Sequence, residues 1–186
     1  MPPGMRSVPA NSTFGLSPGE VMTFPVPRTE VTLRVARVSH ELCPRNHETR
    51  RGQFAYHMVG LALRGEGICI PGRNTLIRQP FRAGMVIVRH RTCDGFGLMT
   101  PPHSDLEMLR IAFVGREASA LLLRLFPDPV GVYATRDPAK IRTLFGQLVE
   151  EAKSPGRYAA EIRTGYLRAL LFTIAEGITA EAQPQD

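Results

Sequence analysis

The 186-residue chain has no tryptophan and only three cysteines, Cys43, Cys69 and Cys93. An odd number with no Cys-x-x-Cys spacing excludes a disulfide framework and reads as free thiols of an intracellular chain. No apolar run approaches the length that crosses a bilayer, and the opening MPPGMRSVPANSTFGLSPGE lacks the apolar core of a signal peptide. A cytoplasmic protein with no membrane partner is therefore expected. Lysine is almost missing: of 23 Lys and Arg only Lys140 and Lys153 are lysines, and with 17 acids the net charge is +6. Twelve arginines fall between Arg28 and Arg91, where only four glutamates offset them. Such an excess suits an anionic ligand, nucleic acid or a plain basic surface, and no recognisable nucleic-acid module accompanies it. The phosphate-loop pattern G-x-x-x-x-G-K-[ST], the nucleophile elbow G-x-S-x-G and the zinc-protease pattern H-E-x-x-H are all absent.

What is present is a soluble composition, 43% hydrophobic and 22% charged, long enough for one domain with a substantial core. Prolines at 2, 3, 9, 18, 25 and 27 make residues 1–30 an extended arm with at most one short strand, Val21 to Phe24. From 31 to about 113 short β-type segments are bounded by turns: VTLRVARV, FAYHMVGLAL, ICI, TLIRQ, MVIVRH, GLM and EMLRIAFV. In the first of these Val31, Leu33 and Val35 share one face. So many short strands are buried by closing into a double-sheet sandwich or barrel. The period then becomes helical, in REASALLLRLF (116–126) and in RDPAKIRTLFGQLVEEAKS (136–154), where Asp137 is the expected N-cap and Pro138 the first helical residue. A last helix is expected within 155–178, weakened at Gly165 or allowing a partner close there. The predicted divisions are an arm at 1–30, a mostly β barrel at 31–135, a helical hairpin at 136–179 and a linker-like end at 180–186.

Arg64-Gly65-Glu66-Gly67 interrupts two hydrophobic segments. It is no phosphate cradle, because Ile-Cys-Ile and then Pro-Gly follow it instead of a helix. The glycines serve as a bend between strands, with Arg64 and Glu66 facing solvent. The five histidines include no His-x-His pair; His90 and His103, with Glu107, are the only set that spacing offers for a metal, and no cofactor is expected. Cys93, near His90, Arg91 and Asp94, lies in what reads as a polar turn. Arg34, Arg89 and Arg110 interrupt apolar strands, and a guanidinium inside a barrel needs a carboxylate or a ligand oxygen. One or two of them are therefore expected to anchor a ligand in an apolar pocket lined by Tyr56, Met58, Phe96 and Met108. The last helix has apolar residues on more than one face. Ile162, Leu167, Leu170, Leu171 and Ile174 are the expected contacts of a homodimer.

In order, YHMVGLALRGEGICIPGRNTLIRQPFRAGMVIV, then EMLRIAFVG, then the helical IRTLFGQLVEEAKSPGRYAAEIRTGYLRALL resemble one known pattern. It is that of the N-terminal effector-binding and dimerisation domain of AraC-family transcriptional regulators, over about residues 30 to 178. The resemblance implies a cupin-like jelly-roll barrel followed by a pair of α-helices, a small-molecule effector in the barrel, and dimerisation through the second helix. It implies a non-enzyme that senses an effector for attached helix-turn-helix units. Only eight residues follow Ile178, so DNA would be bound through a C-terminal domain missing from this chain. Met85 replaces the family's usual acid and Arg89-His90 its strand-closing prolines, so a sugar is not implied. An acidic or oxygen-rich effector suits the arginines better, with Arg34, Tyr56, Met58, Phe96, Met108 and Arg110 as its expected contacts. The rival reading is a metal-dependent cupin enzyme, an isomerase or dioxygenase, using His90 and His103.

Overall fold

Among the described residues, eight strands and three helices form from the short apolar segments and the later helical stretches. The computed structural model describes residues 16–26, 32–49, 55–72, 78–93, 95–153 and 155–178. The arm before Leu16, Val31, most of TLIRQ and the end of the chain lie outside the described residues. The strands are β1 (Val21–Thr23), β2 (Arg34–Cys43), β3 (His57–Ile70), β4 (Gln79–Arg82), β5 (Val86–Arg89), β6 (Gly97–Met99), β7 (Leu106–Val114) and β8 (Val130–Tyr133). The helices are α1 (Arg116–Leu125), α2 (Pro138–Lys153) and α3 (Ala159–Gly177). Strand order is β1-β2-β7-β3-β5-β8, with β4 and β6 also on β3, and every pairing is antiparallel. The result is a mostly β, antiparallel barrel with its two long helices at the C-terminal end.

The bend expected at Arg64-Gly65-Glu66-Gly67 is real, but it does not end a strand. β3 runs through it as one 14-residue element. Up to Gly65 it pairs with β7 and β5, and from Glu66 onward with β4 and β6, so it belongs to both walls of the barrel. A bulge between Ala62 and Arg64 kinks the strand, and Gly65 follows at φ 77°. A Cβ at Gly65 would lie 1.8 Å from the Asp105 carbonyl oxygen, so only glycine fits this corner. β8 went unread in the sequence because Val130-Gly131-Val132-Tyr133 is only four residues long. Its partner strand β5, more than its composition, makes it a strand.

Two hydrophobic cores result. One lies between the outer face of the main sheet and the helices, and includes Val59, Leu109, Phe113, Phe145, Leu167 and Leu171. The other fills part of the barrel, with Met58, Phe81, Ile87, Phe96, Leu98 and Met108 among its members. The helices thus cover a sheet face, and not an open end of the barrel. Asp137 caps α2 as expected: its Oδ1 accepts the Lys140 amide at 2.9 Å. At the arm, the fully buried His40 lies 2.7 Å from the Leu16 carbonyl through Nδ1 and 2.8 Å from Glu107 through Nε2.

His57 is buried on the helix-covered face, stacked on Phe113 with ring centroids 5.5 Å apart. Its Nδ1 accepts the Arg91 amide at 3.2 Å, so Nε2 carries the proton and donates to Ser119 Oγ at 3.0 Å. Burial, with His90, Arg91 and Arg89 nearby, pushes its pKa down to about 4 from 6.5.

Two predictions follow from these packing details. In urea unfolding, Gly65→Ala is expected to lose roughly 3 kcal/mol or more, from a left-handed backbone plus a steric clash. Gly84→Ala, also at positive φ but with nothing within 4 Å of its added Cβ, should lose only about 1–2 kcal/mol. Equal losses would show that the Asp105 contact is not what requires glycine at 65. For pH, the unfolded chain protonates His57 below about 6.5 while the fold resists to about 4. Stability is therefore full above that window and falls as pH drops through it. His57→Gln should show a shallower decline between pH 7 and 4 than the unmodified chain.

Candidate functional site in the barrel

Directly paired residues of an antiparallel ladder project on the same side, so the register identifies the inner wall. On β7 the inward residues are Met108, Arg110 and Ala112; their partners are Glu41, Ser39 and Arg37 on β2, and Ala62, Gly60 and Met58 on β3. β5 continues this wall with Ile87 and Arg89, and β8 with Val132 and Val130. Phe81, Cys69, Leu98 and Phe96 face them from the other side of the same core. Gly60 stands beside Arg110, and a Cβ there would come 2.6 Å from the Met108 methyl carbon. Its missing side chain leaves room for long neighbours.

Among the described residues, three guanidiniums therefore occupy the inner wall, those of Arg37, Arg89 and Arg110, with the carboxylate of Glu41. Arg110 pairs with Glu41, which also accepts from Ser39 Oγ at 2.9 Å. Arg89 donates through Nη2 to the Tyr56 carbonyl at 3.2 Å and sits 5.4 Å from the Phe96 ring centroid. Arg37 makes no ion pair among the described residues, and its buried Nε has no acceptor; neither has Nε of Arg110. The charges strain one another. Burial, together with Arg110 and Arg37, lowers the Arg89 pKa to about 10. Burial also lowers that of Arg110; Glu41 opposes the shift and Arg37 adds to it. Side chains of Arg110 and Glu41 each remain 24% exposed although they face inward, so solvent reaches this part of the wall. All three cysteines are buried in this core; burial raises Cys43 to about 11 and Cys69 to about 12, which disfavours the thiolate form of these two.

The structure brings together Met58, Phe96, Met108 and Arg110 of the six expected effector contacts. Arg34 is placed elsewhere: it pairs with Glu161 on α3 at 3.1 Å, tying the sheet to the helices. The Tyr56 side chain is exposed and contributes only its carbonyl. Arg37 was missed for a physical reason. A bulge between Val35 and Arg37 breaks the strict alternation, so Val35 and Val38 share the helix-covered face and Arg37 turns inward. The alternating polar run Arg37, Ser39, Glu41 was the available signal, and it resembles a solvated face.

The three residues considered for a metal do not converge. His103 is exposed and 2.6 Å from Glu66, Glu107 contacts His40 and Arg64, and His90 lies beside His57. Among the described residues no three His, Cys, Asp or Glu side chains gather to hold a metal. The expected dimer contacts also need correction. Leu167, Leu170, Leu171 and Ile174 are fully buried in the chain's own core, which absorbs the apolar surplus of α3, and only Ile162 is exposed. Exposed Tyr158, Ile162, Gly165, Ala169 and Phe172 instead fall on one stripe of the helix.

No protein-family model matches the sequence, and no curated protein does. Solved structures do share its fold. ToxT K231A from Vibrio cholerae aligns with a TM-score of 0.58 at 9% identity, over 84% of this chain and 62% of that one. Wild-type ToxT from Vibrio cholerae aligns with a TM-score of 0.51 at 10% identity, over 83% of this chain and 61% of that one. The AraC-like transcriptional activator CuxR aligns with a TM-score of 0.54 at 14% identity, over 83% of this chain and 54% of that one. The chain thus spans less than two thirds of the length of these proteins. Among the described residues no helix is long and apolar enough to cross a membrane. With its barrel of antiparallel strands and helices packed on the outer face, the chain shares the fold of ToxT and of the AraC-like activator CuxR over the aligned regions.

Proposed function

We propose that this chain is the effector-sensing part of an AraC-type transcriptional regulator and that its effector is an acidic small molecule. One observation carries the reading: on the inner wall Arg37 makes no ion pair among the described residues, and the buried Nε atoms of Arg37 and Arg110 have no acceptor there, Glu41 being shared by Arg110 and Ser39. A buried guanidinium lacking an acceptor loses hydration worth several kcal/mol, and a ligand carboxylate supplies the missing oxygens in bidentate form. Met58, Phe96 and Met108 would cover the apolar body of such a ligand. Wild-type ToxT, which has this fold, is described with an unsaturated fatty acid bound, and another ToxT structure with (E)-4-(8-methylnaphthalen-1-yl)but-3-enoic acid. Both are carboxylic acids, in keeping with a barrel that takes an acid. The regulator would work by favouring one of two arrangements of arm, barrel and partner subunit over the other. DNA would be contacted by helix-turn-helix units attached to this domain, and the homodimer would form through the exposed stripe of α3. Gly165, with nothing within 4 Å of an added Cβ, allows a second helix close.

Arg37→Met separates a ligand site from a structural one. Without ligand, removing one of three mutually repelling cations should leave the melting temperature unchanged or raise it. A thermal-shift screen of aliphatic and aromatic carboxylates should give hits with the unmodified chain. Affinity of those hits should fall by about ten- to hundred-fold in Arg37→Met, as for a lost hydrogen bond to a charge. Hits confined to neutral sugars, or carboxylate affinity untouched by the substitution, would remove the barrel arginines from the site. For the dimer, sedimentation at rising concentration should show self-association that Phe172→Glu weakens while leaving the fold intact. An unchanged profile would exclude the α3 stripe.

A further inference from the structure

Building on the acid-binding reading, we infer that the effector carries, besides its acidic group, a hydroxyl or N–H group that donates a hydrogen bond to Gln79. In β4 the side chains alternate, with Pro80 and Arg82 exposed and Gln79 and Phe81 turned toward the barrel core. Gln79 is the ladder partner of Cys69 on β3, whose side chain belongs to that core. Cys69, Cys93 and Phe96 belong to one core and Arg89 sits 5.4 Å from the Phe96 ring centroid, so Gln79 faces the same interior from the opposite wall. Its Oε1 is buried and receives no hydrogen bond.

The polar inventory of the interior makes this oxygen informative. Arginine side chains only donate. Glu41 Oε1 already receives Arg110 and Ser39, and the Glu41 side chain is partly exposed. Of the side-chain acceptors on the two walls, Gln79 Oε1 is the buried one with no partner among the described residues. A simple carboxylate accepts hydrogen bonds from the arginines but has no proton to offer this oxygen. Binding such an acid would close the interior to water while Gln79 stayed unsatisfied, which is unfavourable. A ligand with a donor remote from its acid satisfies both walls at once. The wall would then select hydroxylated or amide-bearing acids over their plain counterparts, since a site built to hydrogen-bond a donor discriminates against the analogue lacking it.

The test uses matched probe pairs on the unmodified chain and on Gln79→Met: octanoate with 8-hydroxyoctanoate, phenylacetate with 4-hydroxyphenylacetate, and 3-phenylpropanoate with 3-(4-hydroxyphenyl)propanoate. Calorimetric titration should show at least one hydroxylated member binding about ten-fold tighter than its partner, as for one added hydrogen bond in a buried site. In Gln79→Met that preference should vanish, with the plain acid binding at least as tightly as to the unmodified chain, since no buried oxygen is then left without a donor. Acids that bind equally with and without the hydroxyl in every pair would overturn this inference and leave the acid-binding reading standing. A hydroxyl preference that survives Gln79→Met would overturn the role of Gln79. If none of the six acids binds, the acid-binding reading fails, and this inference falls with it.

Discussion

Strand β3 hydrogen-bonds to β7 and β5 along its first half and to β4 and β6 along its second. That double membership closes the barrel, and the other features of the site depend on it. A strand can leave one sheet for another only by bending, and the bend is made where Gly65 accepts a positive φ beside the Asp105 carbonyl. Because β3 holds both walls, the wall bearing Arg37, Arg89 and Arg110 faces the wall bearing Phe81 and Gln79 at a separation set by the backbone. The interior is thus created by main-chain pairing, before any side chain chooses what to fill it with.

The two faces of the main sheet then carry different burdens. Outward, Val59, Leu109, Ile111 and Phe113 pack against the helices with essentially no exposure, each contributing on the order of 1.5–3 kcal/mol by burial. Inward, mutually repelling guanidiniums contribute a penalty of several kcal/mol each unless paired. A sheet so unequal is stable because the helix-covered face outweighs the inner one. Arg34 belongs to the stabilising side, joining β2 to α3 through Glu161. Arg37, three residues later on the same strand, belongs to the other.

Fold class was legible because the period of the hydrophobic pattern changes from strand-like to helical near residue 115, and because Asp137-Pro138 marks a helix start unambiguously. Arg110, Met58 and Met108 were legible as inward positions because their strands alternate regularly. Arg37 was not, since one bulge residue inverts the phase of β2 and no propensity announces a bulge. Gln79 was hidden differently: a glutamine at the start of a four-residue strand carries no hydrophobic signal. Its meaning depends on which strand lies opposite. The α3 contacts show a third kind of difficulty. Periodicity identifies apolar positions but does not say whether the chain itself or a second copy covers them, and here α2 and the sheet cover most of them.

The alternation that separates these faces has a consequence for divergence. Substitutions at Arg37, Ser39, Glu41, Arg89 or Arg110 alter the interior without touching the helix-packed core, because each projects from the strand opposite to its stabilising neighbours. Ligand preference and structural integrity are therefore inherited on separate sets of positions, interleaved along the same strands. Such a scaffold can change what it recognises one residue at a time while its backbone stays put. Folds of this kind coincide here at 9% and 14% sequence identity, as expected where much of the inner wall is free to drift.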